Sequence, residues 1–431
     1  MKGISKWLPH SDLKRNTLWV MLGNGLKLIL QAAYFVVIAR SLGPEQYGAF
    51  VAVVAIAAIL SPFVGLGTSN LIIRNVVRDR TAFSASWGNG LFVTLVSGLF
   101  ALALISSCRF LLPQSIPWTI LLLVASSDLI LGRLTDLCGF AFGAMEKFRA
   151  TAQINVYSSL ARLIGLLILV SMIHHPTAGQ WAVVYLLTTA VVSVGSAAAV
   201  FSTLGRPSLA LPQLRRELLE GFYYSAGQSA QSVYNDIDKT MLARLGDLSA
   251  TGIYGAAYRL IDVSLVPVKS VLSAAYPGCF RAGQEGISGS LKYMRRLLPK
   301  PVGFAVIIVS SLFICAPVLP HILGREYTNT VMALRWLALL PLLKTFHFFF
   351  ADALTGAGYQ GLRTMIQFVV AAVNVLVNLW IIPAYSWRGA AWSSLGCDGL
   401  LACLYIVALA CLSRRQERRS QLVAAEAGDF S

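Results

Sequence analysis

Residues 18–50 read LWVMLGNGLKLILQAAYFVVIARSLGPEQYGAF. The apolar run 18–39 is long enough to cross a bilayer core as a helix, which takes about 20 residues. It ends at Ala39-Arg40-Ser41-Leu42-Gly43-Pro44, and a second run begins at Tyr47. Within the first run, Asn24, Lys27, Gln31 and Tyr34 recur at i, i+3, i+7 and i+10, which draws one polar stripe along one helix face. The same arrangement returns 204 residues later. Gln228, Gln231, Asn235 and Asp238 form the stripe, and Ala243-Arg244-Leu245-Gly246 leads to Tyr254-Gly255-Ala256. A second echo pairs Arg149 and Gln153 with Arg363 and Gln367, each after a glycine-containing turn at Gly143 and Gly356.

Reading outward from these stretches gives twelve apolar runs: 18–39, 47–66, 85–106, 117–138, 152–173, 180–202, 222–245, 252–276, 300–321, 331–354, 364–383 and 388–412. None has the short alternating pattern of a membrane barrel strand. The expected fold is therefore an all-α integral membrane protein of about 12 transmembrane helices, in two six-helix lobes related by the internal repeat. The expected organisation is an N-terminal lobe over 1–205, a cytoplasmic linker over 206–221, a C-terminal lobe over 222–412 and a basic tail over 413–431. The linker, with its Leu-Arg-Arg-Glu-Leu-Leu stretch, suits either an interfacial amphipathic helix or a solvated connection.

Composition agrees. Of 431 residues, 56% are hydrophobic and 13% charged, whereas soluble domains carry about 25% charge. Such a chain lacks the polar surface of a cytosolic enzyme or a nucleic-acid-binding domain. The seven cysteines form no C-x-x-C pair and read as small apolar residues rather than disulfides or metal ligands. His174-His175 lacks metal-ligand spacing and falls at a span boundary.

The net charge of +16 is unevenly placed. Twenty-two of the 35 Lys and Arg fall in the termini and one alternating set of loops, while the other set holds only Arg40, Arg109, Arg325 and Arg388. By the positive-inside rule both termini are cytoplasmic. The remaining cations lie within or at the ends of the spans: Lys27, Arg133, Arg162, Lys239, Arg244, Arg259, Lys269, Arg335 and Lys344. Intramembrane charge costs about 2.5–3.5 kcal/mol per residue on insertion scales, so these side chains must face one another or a watered cavity. Asp262 and Lys269, seven apart, are expected to share a helix face; Thr151, Asn155 and Arg162 line one face of the fifth span, while Asp128, Arg133 and Asp136 suit a structural network on the fourth. Lys27 has no acid within its own span and is either paired elsewhere, with Asp238 as one partner, or open to an anion.

Cations with amides and phenols suit a phosphorylated, hydroxyl-rich solute. The candidate pyrophosphate and sugar contacts are Lys27, Arg40, Lys239, Arg259 and Lys269, with Asn24, Gln31, Gln228, Gln231 and Asn235 along the sugar path. Arg40, beside Gly43 and Pro44, suits turn bracing equally well. Asp236, Asp238 and Asp262 are the candidates for coupling to an ion. No catalytic residue, bound metal or cofactor is expected, beyond H+ or Na+ as a coupling ion.

The run Ala39–Phe50 resembles the opening of Wzx-type polysaccharide flippases, members of the multidrug/oligosaccharidyl-lipid/polysaccharide exporter superfamily. Gly65-Leu66-Gly67 with Arg74, Asp238-Lys239 leading to Gly252-Ile-Tyr-Gly255, Leu323-Gly-Arg-Glu-Tyr327, and Asn374-Val-Leu-Val-Asn378 through Ile382-Pro383 to Gly389-Ala-Ala391 follow in the order of that family. The resemblance covers about residues 15–412. It implies movement of undecaprenyl-pyrophosphate-linked oligosaccharide between leaflets of a bacterial inner membrane by alternating access, coupled to an ion gradient rather than ATP; the chain has no G-x-x-x-x-G-K-[ST] loop. It also implies membrane lipids, a polysaccharide polymerase and chain-length machinery as company, and no nucleic acid. The alternatives are a drug or small-metabolite exporter of the same fold and a membrane polysaccharide polymerase or ligase. Short outer loops disfavour the last.

Overall fold

A computed structural model of the chain describes residues 10–428, and every regular element among them is helical. Lys2, Lys6 and the last three residues of the tail lie outside the described residues. The twelve apolar runs of the sequence all fall on helices. The chain divides into two compact units, Met1–Ser232 and Val233–Ser431, so that residues 206–221 belong wholly to the first.

In the first unit, α1 spans His10–Leu60 and holds the first two runs. Between them the backbone leaves the helix at Gly43 (φ 69°, ψ 170°), a conformation open to glycine, and Pro44 starts the next segment where its missing N–H costs nothing. Gln46 in this break accepts from Ala178 N (2.9 Å) and so fixes the start of α7, Ala178–Thr203, beside a Thr177–Gln180 capping box. The opening motif is thus a joint between helices. The second run continues past a turn through Gly65, Leu66 and Gly67, all at positive φ, into a strongly amphipathic helix, α2, Thr68–Arg78. Next come α3, Phe83–Ser107; α4, Trp118–Ser126; a π-helical turn, Ser127–Gly132; α5, Arg133–Ala144; and α6, Phe148–Met172.

Residues 206–210 are tied to α3. Ser208 N donates to Ser84 O (2.9 Å), Ser84 Oγ to Arg206 O (2.6 Å), and Asn89 forms a reciprocal pair with Ala210 (3.0 and 3.2 Å). Gly88 allows this approach, since a Cβ there would stand 2.1 Å from Ser208 O. From Leu211 one helix, α8, runs unbroken to Leu245, so the linker passes directly into the seventh apolar run.

The second unit takes the end of α8 and continues with α9, Leu248–Ser264; α10, Val266–Gly283; α11, Ile287–Leu297; α12, Pro299–Cys315; α13, Leu319–Leu323; α14, Thr328–Leu337; α15, Leu340–Gly356; and α16, Gln360–Gly428. Helix α16 holds two runs, broken at Ser386 (φ 49°, ψ −134°) after Pro383, and carries the basic tail as helix to Gly428. The α9–α10 pair bends by 42° and the residues from Arg325 to Gly356 by 41°. The first bend corrects one expectation: Asp262 and Lys269 stand on opposite sides of a helix break, so a seven-residue spacing does not place them on one face.

Among the described residues six helices are long and apolar enough to cross a membrane, or eight if each bent pair counts as one span, and two of the six hold two sequence runs each. The fourth run (α4, π turn, α5) and the seventh (α8) are absent from that set. Both are laden with charge, carrying Asp128, Arg133 and Asp136 in one case and Asp236, Asp238, Lys239 and Arg244 in the other. Large apolar side chains lie open on the helix surfaces, among them Val191 (72% exposed), Ile314 (73%) and Trp380 (82%). Water cannot solvate so much apolar surface without association, and the chain is a multi-pass membrane protein. The cysteines divide: Cys138, Cys279 and Cys397 are buried as expected, Cys108 is half-buried, and Cys315, Cys403 and Cys411 are exposed; all seven are free.

Candidate functional site

The first unit holds a half-open cavity of about 640 Å3, within the usual range of small-molecule sites. The stripe that opens the sequence supplies one wall, with Lys27 and Gln31 on α1. Asp128 in the π turn and Arg133 and Asp136 on α5 form a second. Thr151, Asn155 and Arg162, the polar face of α6, form a third, and Thr189 of α7 closes the space. A π turn adds a residue to one helical turn and is common at functional sites.

Lys27 Nζ donates to Asn155 Oδ1 (3.2 Å), a neutral partner. Arg133 reaches Asp136 (3.3 Å) and the carbonyl of Val64 (3.4 Å). Asp128 accepts from the Tyr185 hydroxyl (2.6 Å), and the Arg162 guanidinium lies over the Tyr185 ring at 4.6 Å. Tyr185 is held in turn by Trp181 and Phe50, and Trp181 packs on Tyr34. Three cations face two carboxylates, and the lysine is met by an amide rather than an acid. Thr189 Oγ1, buried and lining the cavity, has no hydrogen-bond partner among the described residues. A buried hydroxyl in a polar space of this size calls for water or a ligand.

The charges of the second unit are arranged differently, since most of them have been enclosed by partners. Lys239 Nζ meets Asp236 (2.6 Å), the carbonyl of Asn235 (2.9 Å) and the face of Tyr258 (4.1 Å). Asp238 is buried and accepts from the Tyr254 hydroxyl, Ser394 Oγ (3.0 Å) and the backbone N–H of Lys239 (2.8 Å). Lys344 binds Asn235 Oδ1 (3.0 Å) and Asp398 (3.4 Å); Asp398 also accepts from the Tyr234 hydroxyl, and His347 Nε2 stands 2.9 Å from it without a hydrogen bond. Asp352 is paired with Arg363 (3.0 Å). Asn374 and Asn378 bond to each other (3.1 Å), and Asn374 bonds to Ser393 (3.3 Å). Asn378 Oδ1 has no partner among the described residues.

The sequence candidates therefore separate. Lys27 and Gln31 line the first-unit cavity. Asn235, Asp236, Asp238 and Lys239 belong to the buried network of the second. Gln231, Arg259 and Asp262 are half-buried, and Asn24, Arg40, Gln228 and Lys269 are exposed. Asp128, Arg133, Asp136, Asn155 and Arg162 were not among the candidates, although they line the cavity. The signal for Asp128, Arg133 and Asp136 was the fourth run itself, with three charges within nine residues of an otherwise apolar stretch, and for Asn155 and Arg162 it was the polar face of the fifth run.

The profile of a family described as polysaccharide biosynthesis protein matches residues 13–282, well over half the chain. This protein belongs to that family. No curated protein matches it in sequence. Among solved structures it is similar to an inward-facing multidrug resistance MATE family transporter of the MOP superfamily (16% identity over 90% of this chain and 96% of that one, TM-score 0.73). It is similar also to the lipid II flippase MurJ in an inward closed conformation (11% identity, 91% and 87% covered, TM-score 0.72). A MOP superfamily transporter from Pyrococcus furiosus aligns with 16% identity over 93% and 96%, at a TM-score of 0.63. At these identities the likeness establishes the fold: this family member has the helical fold of MATE transporters and of the lipid II flippase.

Proposed function

We propose that this protein is a flippase for lipid-linked oligosaccharide, carrying undecaprenyl-pyrophosphate-linked repeat units from the cytoplasmic to the periplasmic leaflet of a bacterial inner membrane by alternating access. In this reading its twelve spans form two six-helix lobes with both termini in the cytoplasm. The observation that carries the reading is the cavity of the first unit. It places Lys27, Arg133 and Arg162 among apolar helices with more cationic than anionic charge, in a member of a polysaccharide biosynthesis family. Guanidinium and ammonium groups bind phosphate oxygens by charge-assisted hydrogen bonds, while Gln31, Asn155 and Thr189 match sugar hydroxyls. A space of about 640 Å3 suits a pyrophosphate with its first sugars rather than an extended glycan.

The buried carboxylates of the second unit support coupling to an ion gradient. Asp236 and Asp238 take part in that network, and the unpartnered Asn378 Oδ1 leaves one more acceptor there. Transport that ignores both proton and sodium gradients removes this part of the proposal.

Deleting the gene tests the whole. A flippase predicts loss of surface glycan with lipid-linked repeat units accumulating on the cytoplasmic side. Drug hypersensitivity with normal glycan would instead make the protein an exporter of small molecules. At matched abundance, K27A should lower surface glycan several-fold, and normal glycan in K27A would remove Lys27 from the site.

A further inference from the structure

The second unit holds another cavity, of about 390 Å3, that shares no lining residue with the buried network above. Three separate connections build it: Asp247 and Ser249 at the start of α9, Asn329 at the start of α14, and Tyr385, Ser386 and Arg388 at the break in α16. These connections follow the seventh, ninth and eleventh apolar runs. They therefore belong to the cation-poor set of loops, which the charge bias assigns to the outer face.

Arg388 is exposed, and its guanidinium lies over the Trp387 ring at 5.4 Å. It forms no ion pair among the described residues. The acid in the same cavity, Asp247, is committed to capping α9, where it accepts from Ala250 N at 2.6 Å. Ser386 holds a positive φ of 49°, a costly conformation for a residue with a Cβ, and it turns the chain so that Tyr385 and Arg388 both border the cavity. Tyr385, 54% exposed, packs on Trp392 (5.2 Å), and Trp392 packs on Trp336 (5.9 Å). An interfacial belt accounts for tryptophans and tyrosines at such a level. It does not account for a polar cavity with an unpaired, stacked guanidinium beside them.

The chemistry specifies a ligand class. A guanidinium braced on an indole presents its planar fork to a carboxylate. Asn329, Ser249 and Ser386 offer amide and hydroxyl groups for sugar hydroxyls, and an exposed phenol ring takes the apolar C–H face of a pyranose. We propose that this cavity is an exit-side subsite for an acidic sugar, a pyranose bearing a carboxylate, within the transported glycan. The inference rests on the flippase reading and on the loop-charge orientation. It adds that the cargo is an acidic polysaccharide unit, held by the second unit before release.

The test uses the full chain in phosphatidylcholine nanodiscs, with trigalacturonate and maltotriose as probes and saturation-transfer NMR as the readout. Trigalacturonate should bind at least about tenfold more tightly than maltotriose, the difference expected of one charged, bidentate contact. R388Q should bring the two to the same level. R388K should recover part of the difference, because an ammonium keeps the charge and loses the fork. Y385A should weaken both probes alike. Unchanged melting of R388Q guards against misfolding. Equal binding of the two sugars, or no effect of R388Q, overturns the proposal. So does displacement of trigalacturonate when phosphatidylglycerol replaces part of the phosphatidylcholine, which would make the site one for a lipid phosphate. A protein whose deletion accumulates lipid-linked units but which does not bind trigalacturonate leaves the flippase reading standing and removes only this subsite.

Discussion

Replacing Asp398 by Asn should destabilise the second unit strongly, and the loss should be recovered by removing Lys344 as well. Asp398 is 1% exposed and receives Lys344, itself 2% exposed, at 3.4 Å, together with the Tyr234 hydroxyl. The amide of D398N keeps one oxygen for Tyr234 but strands the ammonium. Breaking a buried pair from one side costs about 3–5 kcal/mol. A ceiling of similar size follows from the lysine itself, since holding an ordinary lysine neutral at pH 7 costs about 5 kcal/mol at 1.36 kcal/mol per pH unit. For a unit of about 200 residues, 1 kcal/mol shifts Tm by about 2–4 °C, so D398N should melt roughly 6–20 °C lower in detergent or nanodiscs. K344M/D398N should melt close to the parent, because a buried ion pair exchanged for neutral side chains of like volume is often energetically neutral. The coupling between the two sites should then be at least about 2 kcal/mol. D398N melting within 2 °C of the parent, or a double variant no better than D398N alone, would refute the view that these charges brace the helices.

Further outcomes follow from the geometry. G221A should fail to accumulate, because a Cβ there would stand 1.7 Å from the carbonyl oxygen of Leu66; normal membrane abundance would show that α8 does not approach so closely. R109A should loosen the turn after α3, since this guanidinium gathers the carbonyls of Leu112 (3.1 Å) and Pro113 (2.9 Å), and faster proteolysis at 112–116 with transport retained is the expected pattern. In the turn after α2, the hydroxyl of Thr81 (2.7 Å) and then its N–H (2.9 Å) hold the Asp79 carboxyl below its usual 3.8. That small stabilisation is present above about pH 4 and is lost as pH falls through the lowered value. T81V should raise the titration midpoint of Asp79 part of the way back, as followed by NMR, and an unmoved midpoint would contradict the assignment.

The fold was legible where periodicity and length carry it. The apolar runs on helices and the break at Gly43-Pro44 follow from apolar spacing and helix-stop chemistry. Helices α2 and α11 escaped because each is 11 residues long and amphipathic, too short to read as a span. The π turn escaped because one extra residue in a single turn of a six-residue segment leaves no mark on the apolar pattern. Within the sites, local partners could be read: Asp236 and Lys239 are three apart, as are Arg133 and Asp136. Lys344 on α15 and Asp398 in the second run of α16 have a whole apolar run between them, and nothing in the spacing announces that they meet. Folding encloses Lys239 and Lys344 with partners, the Tyr258 ring for one and Asp398 for the other, that their own helix faces did not announce. In the first unit Asp128, Arg133 and Asp136 keep the partners expected of a structural network and also line the cavity with Lys27, which their spacing alone did not show.

The most direct test of the account is leaflet transfer in a purified system. Proteoliposomes carrying polyprenyl-pyrophosphate-linked oligosaccharide on the inner leaflet can be probed from outside with a glycosidase that cannot cross the bilayer. The cleaved fraction should rise with time in vesicles holding the protein under an imposed proton or sodium gradient, and K27A/R162A should reduce it to the protein-free level. A cleaved fraction identical with and without the wild-type protein under either gradient would contradict the flippase account.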